Sequence, residues 1–307
     1  MDERRKGVLF GLSAYFMWGF FPLYWPLLKP AGAVEILAHR ISWSLVVMAL
    51  LVMRAHKGSF RWLRELGGRR FGLLVLAAGL ISANWAIYIW AVNHQHVVET
   101  SLGYFMTPLL SVILGTLFLG ERLRRVQWLA IGIAACAVVV LTVAYGQLPW
   151  IALGLALSFG LYGFIKKKAG VGALESLAVE TGLLVLPAVA YLLVLQGQGT
   201  AMFGHVSRGK DLLLAASGVL TAIPLLCFGA AANRIPLATI GLLQYSSPIL
   251  QFLCGVLIFR EDMPASRWAG FALVWIGLGV FTLDSVLARR RASRCTGAAL
   301  SGSAAKA

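Results

Sequence analysis

The sequence predicts an all-α membrane protein: ten transmembrane helices arranged as two inverted five-helix repeats. Three observations predict it. Apolar residues make up 59% of the 307 and charged residues only 13%, against roughly 45–50% and 25% in a soluble domain, so the excess must face lipid. A set of scarce residues recurs 140 positions later without a gap: Glu35 with Glu175, Asn93 with Asn233, Pro108 with Pro248, Gly115 with Gly255, Glu121 with Glu261 and Trp128 with Trp268. Finally, the basic residues gather on alternate loops between the apolar runs.

About 20 apolar residues cross the hydrocarbon core. The first run, 7–29, follows Arg4, Arg5 and Lys6; it is too long for a signal-peptide core and no small-x-small cleavage site follows. Pro22 and Pro26 put a bend in it. The second, 34–53, carries Glu35, His39 and Arg40. The third, 71–93, holds Asn84, Trp85, Tyr88 and Trp90 and ends on Asn93, read as a C-cap. The fourth, 98–120, places Tyr104 and Thr107 before Pro108, and the fifth, 127–146, leads to a turn at Gly146–Pro149. The sixth, 149–165, has Gly154, Gly160 and Gly163, suited to close helix packing, and stops at three lysines. The seventh, 174–195, carries Glu180, and the eighth, 211–232, stops at Asn233. The ninth, 237–259, sets Gln244, Tyr245 and Ser247 before Pro248. The tenth, 267–288, precedes a basic tail, 289–307, whose Ala, Ser and Gly predict disorder. Backbone groups in lipid must bond within their own segment, which makes these runs helices. The absence of strand alternation excludes a barrel.

With the N-terminus in the cytoplasm, 21 basic residues fall inside and five outside, Arg40 being within a span. That split predicts both termini in the cytoplasm. Five spans per copy is odd, so the second copy enters inverted, the usual build of a secondary transporter.

Other classes are excluded. The net charge of +15 is spread over short loops as topology signals, which argues against a nucleic-acid partner. Cys136, Cys227, Cys254 and Cys295 show no CxxC spacing and predict neither disulfides nor zinc. His94 and His96 with Glu99 are read as a loop, not a metal site. No Walker A loop, GxSxG elbow or HExxH motif is present, so no cofactor and no ATP-driven chemistry is expected.

Charged groups inside a span cost at least about 2.5–3.5 kcal/mol and default to function. Glu35 and His39, four apart, share a helix face, with Arg40 beside them about 9 Å below the outer end. They read as a substrate-carboxylate or proton site, or as a local ion cluster fixing the helix end. Glu180 stands 140 positions after Arg40, an anion at the inner mouth or a snorkelling glutamate. Asn84 and Tyr88 share a face. Pro108 and Pro248 each free the carbonyl four residues back, those of Tyr104 and Gln244. Interrupted segments at matching positions point to a transporter's binding site and hinges. Tyr104, Thr107, Gln244, Tyr245 and Ser247 gather there.

Several long segments carry a family resemblance: AYFMWGFFPLYWPLL at 14–28, EILAHRISWS at 35–44, NWAIYIWAVNHQHVVETSLGYFMTPLLSVILGTLFLGERLRRVQWLA at 84–130, ALGLALSFGLYGFIKKK at 152–168 and IPLLCFGAAANRIPLATIGLLQYSSPIL at 223–250. In them the chain resembles the RarD-type permeases of the drug/metabolite transporter superfamily, built from paired EamA modules. One departure is FRED at 259–262, where the first half has LGER at 119–122. The resemblance implies EamA repeats at 1–146 and 147–288, a bacterial inner-membrane location, and export of small organic metabolites or drugs. The expected mechanism is alternating access; Glu35, His39 and Glu180 are the candidates for proton coupling, and a uniporter or exchanger fits the sequence equally. The rival expectation is a membrane-embedded enzyme acting on lipid, with Glu35, His39 and Arg40 as its cluster.

Overall fold

Apolar runs with polar breaks only at short loops leave the backbone no partner but itself. The computed structural model is accordingly helical throughout its regular elements. It describes residues 3–59, 61–119, 123–232, 234–235 and 237–304, from 288 onward as backbone only. The helices are α1 (Glu3–Tyr24), extended by a 3₁₀ turn at Trp25–Leu28, α2 (Ala33–Ala55), the short α3 (Arg61–Arg64), α4 (Gly67–Asn93), α5 (Val97–Leu119) and α6 (Arg125–Tyr145). The second half contributes α7 (Trp150–Ala169), α8 (Ala173–Gly197), α9 (Arg208–Ala232), α10 (Leu237–Gln244), α11 (Ser246–Leu253), a π-helical turn at Cys254–Ile258, and α12 (Ala265–Ala304).

Among the described residues, eight helices are long and apolar enough to cross a membrane: α1 with its 3₁₀ extension, α2, α4, α5, α6, α8, α9 and the first half of α12. The other two expected spans differ. α7 is helical over its whole range but closes on Lys166, Lys167 and Lys168. The ninth is divided at Tyr245 into α10, α11 and the π turn. The division falls beside Gln244, whose carbonyl Pro248 leaves without its helical donor. Pro108, by contrast, sits inside an unbroken α5. α12 is assigned as helix as far as Ala304.

Two compact units result. The first comprises residues 1–107 and 150–262. In it α1 packs on α9 and α11, α2 on α8, α9 and α4, and α4 on α7 and α8. The helices α7, α8 and α9 follow α1, α2 and α4 at the 140-residue offset. Exchanging each helix for its counterpart turns α1–α9 into α7–α4, α2–α9 into α8–α4, and α2–α8 into itself. Close approaches repeat too: a methyl at Gly103 would lie 2.7 Å from the Ala152 carbonyl oxygen, and one at Gly11 2.8 Å from Leu243.

Carboxylates tie loops to helix ends in this unit. Glu35 accepts the Met202 N–H at 2.6 Å, and Glu261 accepts those of Val97 and Val98, opening α5. Glu175 meets His56 Nε2 at 2.9 Å. The second unit, 108–149 and 263–307, is built on α6 against α12. Ala134, Ala137 and Leu141 of α6 and Phe271, Val274 and Leu278 of α12 are buried. Arg124 pairs with Asp284 at 2.8 Å.

Candidate functional site

The charged triplet of α2 separates by helical geometry. Glu35 and His39 share one face, directed at the loop after α8: Glu35 takes the Met202 N–H, and the His39 ring lies on Phe203 at 4.9 Å between centroids. His39 Nε2 has no hydrogen-bond partner. Arg40, one residue on, turns about 100° away.

Arg40 is only 4% exposed. Its Nε donates to Thr221 Oγ1 of α9 at 3.0 Å, and Thr221 donates onward to the Ser217 carbonyl at 2.9 Å. Three rings surround the guanidinium: Trp85 of α4 at 4.0 Å, Trp25 at 5.2 Å and Phe21 at 5.8 Å from their centroids. Each ring attracts a desolvated cation by up to about 2 kcal/mol, which offsets much of the insertion cost. Tyr88 and Tyr104 stand within electrostatic reach of Arg40 and pack edge to face at 5.7 Å. Among the described residues Arg40 forms no ion pair and hydrogen-bonds through Nε alone, which leaves its other four N–H donors without a protein partner there. The Tyr88 hydroxyl and Trp25 Nε1 are likewise buried without partners.

Asn84 is committed to the scaffold. Its amide donates to the Leu155 carbonyl at 3.1 Å and to Ser158 Oγ at 3.0 Å, and its oxygen accepts the Tyr104 hydroxyl at 3.1 Å. It thereby ties α4 to α7 and holds the Tyr104 hydroxyl in place. Thr107 donates to the Gly103 carbonyl at 3.1 Å.

Glu180 is fully buried and has a different set of partners from Arg40. It accepts from Ser176 at 2.6 Å, Lys166 at 2.9 Å and Tyr162 at 3.0 Å. It is therefore an internal ion pair between α7 and α8, not a snorkelling group.

Around Pro248 the structure adds a residue absent from the expected set. Gln251, 3% exposed, donates from Nε2 toward the Trp18 carbonyl and Ser247 Oγ, each at 3.4 Å, while its Oε1 has no partner. Its position one turn after Ser247 was the available signal. Gln244 and Tyr245 are partly buried. Phe21, Trp25 and Thr221 were also missed. They lie in runs whose apolar letters hide them, and only the packing of α1 and α9 against α2 brings them to Arg40. Asn93 is the last residue of α4, with His94, not Asn93, in the cap position. Asn233 lies outside the described residues. His94 and His96 stack on Trp90, at 4.3 and 6.0 Å.

Apolar membrane-length helices packed around a buried, partly unsatisfied polar centre define a multi-pass membrane protein of the transporter class. The chain belongs to the EamA-like transporter family, whose model matches it twice, over residues 5–143 and 149–283. Its relatives identify it as a RarD-type permease. It is 56% identical over 292 residues to Protein RarD of Streptomyces exfoliatus, covering 94% of this chain and 92% of that one. It is 42% identical to Protein RarD of Escherichia coli strain K12, covering 95% and 99%. It is also 42% identical to the Uncharacterized transporter YojE of Bacillus subtilis strain 168, covering 94% and 97%. A solved crystal structure shares the fold with a TM-score of 0.58 at 19% identity, covering 90% of this chain and 97% of that one.

Proposed function

We propose that this protein is a secondary transporter that exports small organic metabolites or drugs across the bacterial inner membrane by alternating access. Both termini face the cytoplasm in this reading, and the ten apolar segments form two inverted repeats. The observation that carries the proposal is Arg40, a buried cation held among membrane-spanning helices with most of its donors unspent. A charge so placed is retained for something that visits it.

Further support comes from helix pairings that exchange under the 140-residue offset, as two-fold related repeats require. The polar break of the ninth segment at Tyr245, next to Pro248, is of the kind that lines transporter sites. The solute would lie among Arg40, Tyr88 and Tyr104, with Gln244, Tyr245 and Ser247 contributing from the ninth segment and Pro108 and Pro248 serving as hinges. Proton coupling, where present, would use His39, since Glu35 and Glu180 already hold internal donors. The separation of Arg40 from Glu35 and His39 leaves a lipid-modifying cluster unassembled and favours the transport reading.

The test is reconstitution of the full chain in liposomes, with metabolites of an overexpressing strain as candidate solutes. Accessibility of single cysteines at 84, 104 and 244 would be measured from each side. Solute flux with reactivity alternating between sides is expected. Absence of flux for every solute enriched outside the overexpressing cells would overturn the proposal. An imposed pH gradient that leaves flux unchanged would remove proton coupling alone.

A further inference from the structure

Resting on the transport reading, we infer that the Arg40 site recognises the carboxylate of a singly charged organic anion with a flat apolar body. Three independent features lead there. The first is a count of donors and acceptors. Around the guanidinium stand four unused Arg40 N–H groups, the Tyr88 hydroxyl and the Trp25 indole N–H, all able to donate. Among the described residues no carboxylate neutralises Arg40, and the nearest one along α2, Glu35, is held on the Met202 N–H. The missing partner is therefore an acceptor bearing negative charge. One guanidinium balances one charge, and its fork matches the two oxygens of a carboxylate. A dianion would leave a second charge among aromatic rings.

The second feature is the shape of the surroundings. Trp85, Trp25 and Phe21 cover the guanidinium at 4.0–5.8 Å, and Tyr104 packs edge to face on both Tyr88 and Phe159. These rings present flat apolar faces beside the charge, which suits an apolar or aromatic body attached to the acid group.

The third feature is asymmetry between the halves. At the 140-residue offset, Phe21, Trp25, Arg40, Trp85 and Tyr104 correspond to Leu161, Ile165, Glu180, Leu225 and Gln244. The pairings of α1 with α9, α2 with α9 and α2 with α8 have counterparts across the offset, while the aromatic, cationic set does not. Packing alone does not require Trp25 or Trp85, because aliphatic residues serve the equivalent helices. Moreover, Glu180 is closed off by three donors of its own, whereas Arg40 is open. A symmetric scaffold thus carries one site, loaded in its first half.

Binding is measured on the full chain in lipid nanodiscs by tryptophan fluorescence, with Trp25 and Trp85 as natural reporters. Acid and amide pairs of increasing size serve as probes: acetate, cyclohexanecarboxylate, phenylacetate and 2-naphthoate, each against its neutral amide. At least one acid is expected to saturate the signal with tenfold or greater preference over its amide, and preference should grow with the apolar body. Arg40→Gln is expected to erase the preference, and Arg40→Lys to retain part of it. Should Arg40→Gln fail to fold, Tyr88→Phe decides: it removes one donor, keeps the ring, and should weaken the acid several-fold while leaving the amide unchanged. Equal binding of every acid and its amide overturns the inference. So does a preference that survives Arg40→Gln, a Tyr88→Phe variant that binds both alike as before, or tighter binding of phenylphosphonate than of phenylacetate. The two readings fail separately. Flux of an uncharged solute unaffected by Arg40→Gln sinks this assignment and spares transport, whereas selective acid binding with no flux of any solute spares the site and sinks transport.

Discussion

The Glu261 carboxylate accepts the backbone N–H of Val98 at 3.0 Å, and its other oxygen accepts that of Val97. The acid thus closes two of the unpaired donors at the start of α5 from a position more than 160 residues later. It also places negative charge at the positive end of the helix. Glu261→Ala is expected to lower stability by about 2 kcal/mol, in line with lost caps and charged hydrogen bonds. Glu261→Gln keeps an acceptor oxygen and should lose about half as much. Thermal unfolding of the two variants in the same detergent checks the order; equal losses would show that the carboxylate charge, and not the acceptor geometry, carries the effect.

Thr221→Val removes the only acceptor that Arg40 has in the described structure. The isosteric change leaves a buried guanidinium N–H without a partner, at an expected cost of about 1–3 kcal/mol. Thr221→Ser keeps the hydroxyl and should recover most of it. A Thr221→Val protein as stable as the parent would mean that water or a bound solute already satisfies that donor.

Legibility of these features in the sequence varies with the physics behind them. Helices such as α2, α4 and α9 were readable because one rule, that backbone groups in lipid bond within their own segment, governs every long apolar run. Pro248 marked a place where a break could fall, and the ninth segment divides at Tyr245, but the same missing N–H at Pro108 leaves α5 unbroken, so a proline alone does not distinguish the two. The π turn at Cys254–Ile258 was not readable, since no residue pattern there distinguishes it from ordinary helix. Arg40's surroundings were half readable. Tyr88 and Tyr104 announced themselves as polar letters in apolar runs. Phe21 and Trp25 did not, because lipid-facing and core-facing sides of a membrane helix are both apolar and periodicity carries no direction. Adjacency misled in one place: Glu35, His39 and Arg40 form one cluster as letters, yet the helical turn sends Arg40 to a different neighbourhood.

Close backbone approach offers a sharper stability test. A methyl at Gly218 of α9 would run into the main chain of Trp43 in α2. Main-chain atoms cannot move aside as a flexible side chain can, so Gly218→Ala must separate α2 from α9. The expected loss is about 3 kcal/mol, the upper end of ordinary overpacking. Gly279→Ala in α12 meets nothing within 4 Å and should raise stability by about 0.5–1 kcal/mol through helix propensity. Measuring both in one unfolding assay separates steric cost from any general intolerance of substitution.

The buried pair of Glu180 and Lys166 makes the final prediction. Glu180 is fully enclosed and takes Lys166, Tyr162 and Ser176 on its two oxygens, while the Lys166 side chain is 21% exposed. Removing the acid alone strands a mostly buried ammonium, whereas removing the lysine alone strands a fully buried carboxylate that still holds two hydroxyl donors. Breaking such a pair costs about 3–5 kcal/mol, and replacing both members by apolar groups costs far less. Lys166→Met is therefore expected to be the more damaging single change, because Glu180 has no route to water and Lys166 has one. Glu180→Leu combined with Lys166→Met should be more stable than Lys166→Met alone by at least about 1 kcal/mol. Thermal unfolding of the two singles and the double in nanodiscs reads the coupling directly. Additive losses would mean that the pair contributes no mutual energy and that Tyr162 and Ser176 alone hold Glu180 in place.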